Sequence, residues 1–158
     1  MAAGYHVVFH NLGGTFDAQK QACPMKTDPS ISGTVSVAAD VDRDGDLDLL
    51  IESSPGILTL WQNDTPEGNH WLEVQPESTK VALVGALVQV GSNGHVLERS
   101  AERRGGYGSH QAQSARFGLG SVAKLELVRI WWPTGHVTEL HHVSVDEVLR
   151  VQQPKKQK

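Results

Sequence analysis

Apolar and polar residues alternate in twos along short stretches of this chain, and the spacing typical of amphipathic helices is nearly absent. Alternation with a period of two is the pattern of a half-buried β-strand. Turn-forming pairs such as Asn93-Gly94 and Thr134-Gly135 separate several of these stretches, as expected for hairpins. The pattern predicts an all-β fold, with a sandwich or a barrel as the open architectures. The predicted strands cover 5–9, 34–39, 47–51, 57–61, 70–74, 86–90, 96–102, 115–118, 124–132, 137–140 and 148–151.

A turn-rich segment at 64–69, which contains no apolar residue, predicts a linker between two parts of the chain. Residues 1–63 then form a small antiparallel meander, and residues 70–152 form a β-sandwich-like domain followed by a flexible tail at 153–158. Residues 17–33 are polar and contain two prolines, so we expect a loop there. Asp146-Glu147 is expected to open one helical turn before the last strand.

The segment between the second and third predicted strands carries a carboxylate at every second position. These residues are Asp40, Asp42, Asp44, Asp46 and Asp48. The only cation nearby in the sequence is Arg43. Two like charges about 4 Å apart repel by roughly 1 kcal/mol in water and about 4 kcal/mol near a protein surface. A folded loop that gathers several carboxylates is therefore costly unless a cation joins them.

Calcium suits this loop because it accepts six to eight hard oxygen ligands in flexible geometry, whereas magnesium demands a stricter octahedron. The predicted ligands are the side chains of Asp40, Asp42, Asp44 and Asp48 and the main-chain carbonyl of Asp46, with water completing the shell. An EF-hand needs Glu at position twelve, where this chain has Ile51 inside a strand pattern. The site is therefore expected between two β-strands, with a structural role. The alternative is a solvated acidic turn that binds no metal.

The overall charge and the cysteine content restrict the function further. The 158 residues carry a net charge of −4, and five of the 18 acidic residues belong to the loop. The rest of the chain is nearly neutral, which argues against nucleic acid as a partner. The single cysteine, Cys23, permits no internal disulfide. No apolar run approaches the length of a membrane span, and the first residues lack the order of a signal peptide.

The stretches 8–16 and 37–50 resemble an FG-GAP/VCBS repeat, a blade of a β-propeller with calcium in the loop between two strands. The remainder is similar to the ASPIC/UnbV domain that follows such repeats in the family of cartilage acidic protein 1. This second similarity is carried by Asn69 to Val74, Val84-Gly85-Ala86, Gly105-Gly106-Tyr107, Arg116-Phe117-Gly118-Leu119-Gly120, and Val128 to Gly135. The chain departs from the family at Arg103-Arg104, where small residues are usual.

The resemblance implies a partial propeller-blade-like meander, calcium binding, an extracellular or cell-envelope location, and adhesion or scaffolding without catalysis. Its partner would be a protein, or a matrix or glycan component. A propeller needs several blades, and this chain shows one. We therefore expect a fragment of a longer protein, a reduced relative, or one part of an oligomer.

Other candidate sites are weaker. His141 and His142 are adjacent, so on a strand they face opposite sides and cannot easily share an ion. Ser109-His110 is not part of a nucleophile-elbow motif, so no catalytic residue is assigned. Of the adjacent pair Trp131-Trp132, one side chain should be buried and the other more exposed. An exposed tryptophan could stack on a sugar ring, which makes a calcium-dependent carbohydrate-binding module the alternative function.

Overall fold

The computed structural model describes residues 8–19, 33–53, 56–63, 68–78, 83–101 and 113–154. Within these ranges every regular element is a strand, which confirms the predicted all-β fold. The strands are β1 (Val8–Asn11), β2 (Phe16–Gln19), β3 (Gly33–Ala39), β4 (Asp48–Ser53), β5 (Ile57–Trp61), β6 (His70–Glu77), β7 (Leu87–Ser92), β8 (His95–Ser100), β9 (Ala115–Gly120), β10 (Leu125–Trp131), β11 (Val137–Val143) and β12 (Glu147–Gln152). None of these sheets closes into a barrel.

Two sheets enclose the main hydrophobic core. One has the strand order β11-β10-β7-β8 and the other the order β12-β6-β9. Alternate side chains of β6, β7, β9 and β10 point into the shared core, and the largest of them are Phe117, Leu72 and Ile130. This alternation buries one face of each sheet and leaves the other for polar residues, as in a sandwich. Trp132 is buried and Trp131 is half-buried, as expected.

The central strand β6 explains how a proline is accommodated in this sheet. Antiparallel pairing with β9 ends at Val74, opposite Ala115, whereas parallel pairing with β12 continues through Pro76 and Glu77. Pro76 therefore lies where β6 has one neighbouring strand, so its missing N–H removes no bond toward β9. The parallel β6–β12 pair joins the start of the sandwich to its last strand.

The part of the chain before β6 is built from antiparallel strands. Strands β3, β4 and β5 form a three-stranded meander, and β1 and β2 form a separate two-stranded hairpin. The meander buries Ile51 but leaves Leu58 and Leu60 exposed. Asp40 to Leu47 connect β3 to β4, so the acidic loop joins two strands, as predicted.

The tight turns follow from their residues. Asn93 and Gly94 have φ values of 51° and 75°, the conformation of a type I′ hairpin turn.

The predicted loop at 17–33 is wrong at its start, because β2 extends to Gln19 and pairs with β1. Residues 20–32 lie outside the described ranges. The predicted helical turn at 146–147 is also wrong. Asp146 has a φ of 61°, and β12 begins at the next residue.

Four other expectations fall partly outside the described residues: the start of the first strand at 5–7, residues 64–67 of the linker, residue 102 of the strand at 96–102, and residues 155–158 of the tail. No helix in the described part of the chain is long and apolar enough to cross a bilayer.

Candidate metal site at the junction of the meander and the sandwich

Three of the five predicted ligands converge. One carboxylate oxygen from each of Asp40, Asp42 and Asp48 lies within 4.8 Å of the others. Asp44 and Asp46 do not belong to this group. Because several hard oxygens close together match the ligand preference of calcium, these three residues could hold a cation. The fold therefore brings together three of the five loop carboxylates and does not present all five as equivalent ligands.

Hydrogen bonds from carboxylates to main-chain amides shape the loop. Asp42 Oδ1 accepts from the Asp44 amide at 3.4 Å, and Asp44 Oδ1 accepts from the Asp46 amide at 2.9 Å. Bonds to the amide two residues ahead are typical of Asp in turns. Asp40 Oδ2 accepts from the Gly45 amide at 3.2 Å and so closes the loop across five residues. In this structure the Asp44 carboxylate therefore stabilises a turn and does not join the three that converge.

Asp48 closes the loop at its base. Its side chain is buried, with Oδ2 accepting from the Val41 amide at 2.8 Å and Oδ1 from the Asn63 amide at 2.9 Å. These bonds favour the ionised form and lower the pKa of Asp48 below its ordinary value. Asp48 thus ties the loop to the end of β5 while remaining charged.

Asp46 shows the electrostatic cost of the loop. Partial burial, followed by the nearby charge of Asp44, raises the pKa of Asp46 above its ordinary value. Both causes disfavour a second negative charge at this place. A bound cation would reduce this repulsion.

Arg116 is the functional residue that the sequence did not reveal. Its guanidinium Nη2 lies 2.5 Å from Asp40 Oδ2, and its Nε lies 3.7 Å from Glu73 Oε2. The same guanidinium stacks over the Trp71 ring at 4.8 Å from its centroid. Arg116 is on β9 of the sandwich, 76 residues from Asp40 in sequence. Arg43, the cation near the loop in sequence, has no carboxylate within 4.0 Å among the described residues.

Asp40 keeps one oxygen without a protein partner. Its side chain is 10% exposed, and Oδ1 is buried with no hydrogen bond, while Oδ2 is bonded by Arg116 and Gly45. A buried charged oxygen without a partner is energetically costly. Asp40 belongs to the carboxylate set that includes Asp42 and Asp48, so a bound cation would give this oxygen a partner.

Gly45 is required at its position for two reasons. Its φ is 103°, in the region that favours glycine. A Cβ built on it would lie 2.1 Å from Trp71 Nε1, so any side chain would push the loop away from the sandwich. Trp71 therefore fixes the loop together with Arg116.

Asp146 holds the main chain of Trp71 through two hydrogen bonds. The Trp71 amide donates to Asp146 Oδ1 at 3.1 Å, and the Asp146 amide donates to the Trp71 carbonyl at 2.7 Å. Asp146 Oδ2 also lies 2.7 Å from His70 Nδ1. Burial alone would raise the pKa of Asp146, but the hydrogen bonds from His70 and the Trp71 amide outweigh it and lower the pKa.

The remaining candidates form no site among the described residues. His141 and His142 are exposed and belong to no group of metal-ligating side chains. Ser109-His110 and Arg103-Arg104 lie outside the described ranges. Among the described residues, the candidate metal site is therefore the loop that begins at Asp40.

Comparison with known proteins supplies the family. A search of curated proteins finds no match to this chain. The family model described as ASPIC and UnbV matches residues 76–158, more than half of the sequence. The match begins within β6 and includes every strand from β7 to β12. This chain therefore belongs to the ASPIC and UnbV family.

Proposed function

We propose that this protein is a non-catalytic, calcium-binding module that acts in adhesion or scaffolding. The observation that carries the proposal is the convergence of carboxylate oxygens from Asp40, Asp42 and Asp48 within 4.8 Å. The buried, unpartnered Oδ1 of Asp40 supports it, because this atom needs a cation or a donor. Calcium fits an all-oxygen set that lacks His and Cys.

The bound ion would have a structural role. The loop connects β3 and β4, Asp48 ties it to Asn63, and Arg116 and Trp71 hold it against the sandwich. An ion among Asp40, Asp42 and Asp48 would therefore stabilise the junction between the meander and the sandwich. The main-chain carbonyl of Asp46 and water would complete its shell.

The meander itself suggests a finer classification. We propose that residues 1–63 form an FG-GAP/VCBS-like repeat, in the arrangement of the cartilage acidic protein 1 family. Support comes from the antiparallel order β3-β4-β5, with the acidic loop between the first two strands. With this repeat we also propose an extracellular or cell-envelope location and a protein or matrix partner.

Two of the four tryptophans, Trp71 and Trp132, favour a protein partner over a sugar. Trp132 is buried, and its Nε1 donates to Thr138 Oγ1 at 2.8 Å. Trp71 has Arg116 over its ring and Gly45 against its edge. Both side chains are used in packing, which leaves them unavailable as open platforms for a sugar ring.

Thermal or urea unfolding with calcium and with a chelator tests the proposal. Calcium at a hundred times its dissociation constant should stabilise the native state by about 2.7 kcal/mol. Asp42→Asn should weaken the response, whereas Glu98→Gln, an exposed acid on β8, should not. An unfolding midpoint that is the same in calcium and in chelator would refute the site.

A further inference from the structure

A cleft of about 1020 Å³ lies between the loop side of the meander and the sandwich. This volume is at the upper end of the range found for ligand sites, about 300–1,000 Å³. Its lining includes the consecutive residues 37–40 on the meander side and the consecutive residues 114–118 of the sandwich. Trp71, Glu73 and Gln75 on β6 also line it.

The consecutive run on β3 indicates that the edge of this strand borders the cleft. Strands β6 and β12 instead contribute alternate residues, 71, 73 and 75 and 148 and 150, so the sheet β12-β6-β9 presents its outer face to the cleft. Successive side chains of a strand point to opposite faces, so a face would contribute only alternate residues. Strand β3 pairs with β4 alone, and β9 pairs with β6 alone, among the described strands. Strand β3 also lacks charged residues and proline, the usual protection of an open edge. Its edge is therefore suited to pair with another strand.

The cleft also offers positive charge. Four guanidinium groups and three carboxylates line it: Arg43, Arg99, Arg116 and Arg150, with Asp40, Asp46 and Glu73. Arg116 is paired within the cleft, and Arg150 lies 3.7 Å from a Glu77 oxygen. Arg43 and Arg99 have no carboxylate within 4.0 Å among the described residues. Arg99 is instead held over the Phe117 ring at 5.9 Å.

We propose that this cleft binds an extended, acidic peptide of a partner protein. The peptide adds a strand to the open edge of β3, and its carboxylates pair with Arg43 and Arg99. Main-chain hydrogen bonds give such a complex its affinity, and side-chain contacts give its specificity. The inference deepens the proposed function and rests on it, because it names the kind of partner that the proposed adhesion module binds.

Two other occupants fit less well. A sugar lacks a platform here, since the Trp71 ring is covered by Arg116. The chain's own segment 20–32 contains Pro24 and Pro29 and has two lysines against one aspartate. Prolines cannot donate to a ladder of strands, and the charge of that segment has the wrong sign for Arg43 and Arg99.

Fluorescence anisotropy with a labelled octapeptide of sequence Thr-Glu-Val-Glu-Thr-Glu-Val-Glu tests the proposal on the full chain. The same peptide with Lys in place of Glu should not bind. Arg43→Gln and Arg99→Gln should each weaken binding about fivefold, as expected for an exposed ion pair. Arg129→Gln is the matched control, because Arg129 does not line the cleft, and it should leave binding unchanged.

Methylated peptides separate strand addition from simple charge attraction. One version is N-methylated at its Glu amides and the other at its Thr and Val amides. Because a strand uses alternate amides on each edge, at least one version should lose binding by about tenfold or more. Full binding of both versions, or no effect of Arg43→Gln and Arg99→Gln, would overturn the proposal.

Parallel arms distinguish this inference from the calcium site. If an acidic hexauronate binds and the octapeptide does not, the occupant of the cleft is a glycan and the peptide proposal is overturned. Peptide binding by a chain that retains no calcium in dialysis would refute the calcium site and leave the peptide site standing. Calcium retention without peptide binding would overturn the peptide site alone.

Discussion

Arg116→Gln should destabilise the protein much more without calcium than with it. The Arg116–Asp40 pair has a 2.5 Å contact, and its side chains are 17% and 10% exposed. Removing one member of a buried pair costs about 3–5 kcal/mol, whereas an exposed pair contributes about 0–1 kcal/mol. For this largely buried pair we expect a loss of about 2–3 kcal/mol in chelator, between these limits.

Calcium should reduce this loss because the ion supplies the positive charge that Asp40 loses. What remains is the stacking of Arg116 on Trp71, about 1 kcal/mol. At roughly 2–4 °C per kcal/mol for a chain of this size, Tm should fall by about 4–12 °C in chelator and by about 2–4 °C in calcium.

Differential scanning calorimetry of the wild type and the variant, each with calcium and with chelator, measures the difference. Arg129→Gln is the control, since Arg129 contacts Glu139 at 2.6 Å on an exposed part of the other sheet. It should change Tm little in either buffer. Equal losses for Arg116→Gln in both buffers would refute the coupling between this arginine and the ion.

Three further results are expected. Gly45→Ala should lower the free energy of unfolding by about 1–3 kcal/mol in urea titrations, because of its positive φ and the contact with Trp71; an unchanged value would contradict this contact. Asp48 has a lowered pKa in the folded state, so the stability that it contributes is present above the unfolded pKa of about 3.9 and is lost as the pH falls below that value. In a plot of the free energy of unfolding against pH, Asp48→Asn should therefore reduce the decline at acid pH. An unchanged decline would argue against the two amide bonds to Asp48. Phe117→Ala should cost about 3–5 kcal/mol by urea unfolding because Phe117 is fully buried in the sandwich, and a loss below about 1 kcal/mol would place the core elsewhere.

The sequence predicted most strands because their patterns are local. The predicted strand at 57–61 coincides with β5, and β6 begins at His70 as expected. Strand β2 escaped detection because four residues, one of them charged, give little alternation. The parallel pairing of β6 with β12 joins segments about 75 residues apart, and no local pattern encodes such a pairing.

The candidate site was predictable in its residues but not in its surroundings. Carboxylate spacing identified the loop. Arg116 was not recognised, because its proximity to Asp40 depends on how β9 lies against the loop. The alternation around β9 places Arg116 outside the core, yet many outward arginines have no special role. Asp44 and Asp48 look like equivalent ligands in the sequence, whereas the fold buries only Asp48.

Equilibrium dialysis with radioactive calcium tests the central claim most directly. The wild-type chain should retain one calcium ion per molecule, and the double variant Asp40→Asn, Asp42→Asn should retain none, while Glu98→Gln should match the wild type. A folded wild-type chain that retains no calcium, or a double variant that retains as much as the wild type, would contradict the claim that this loop is a calcium site.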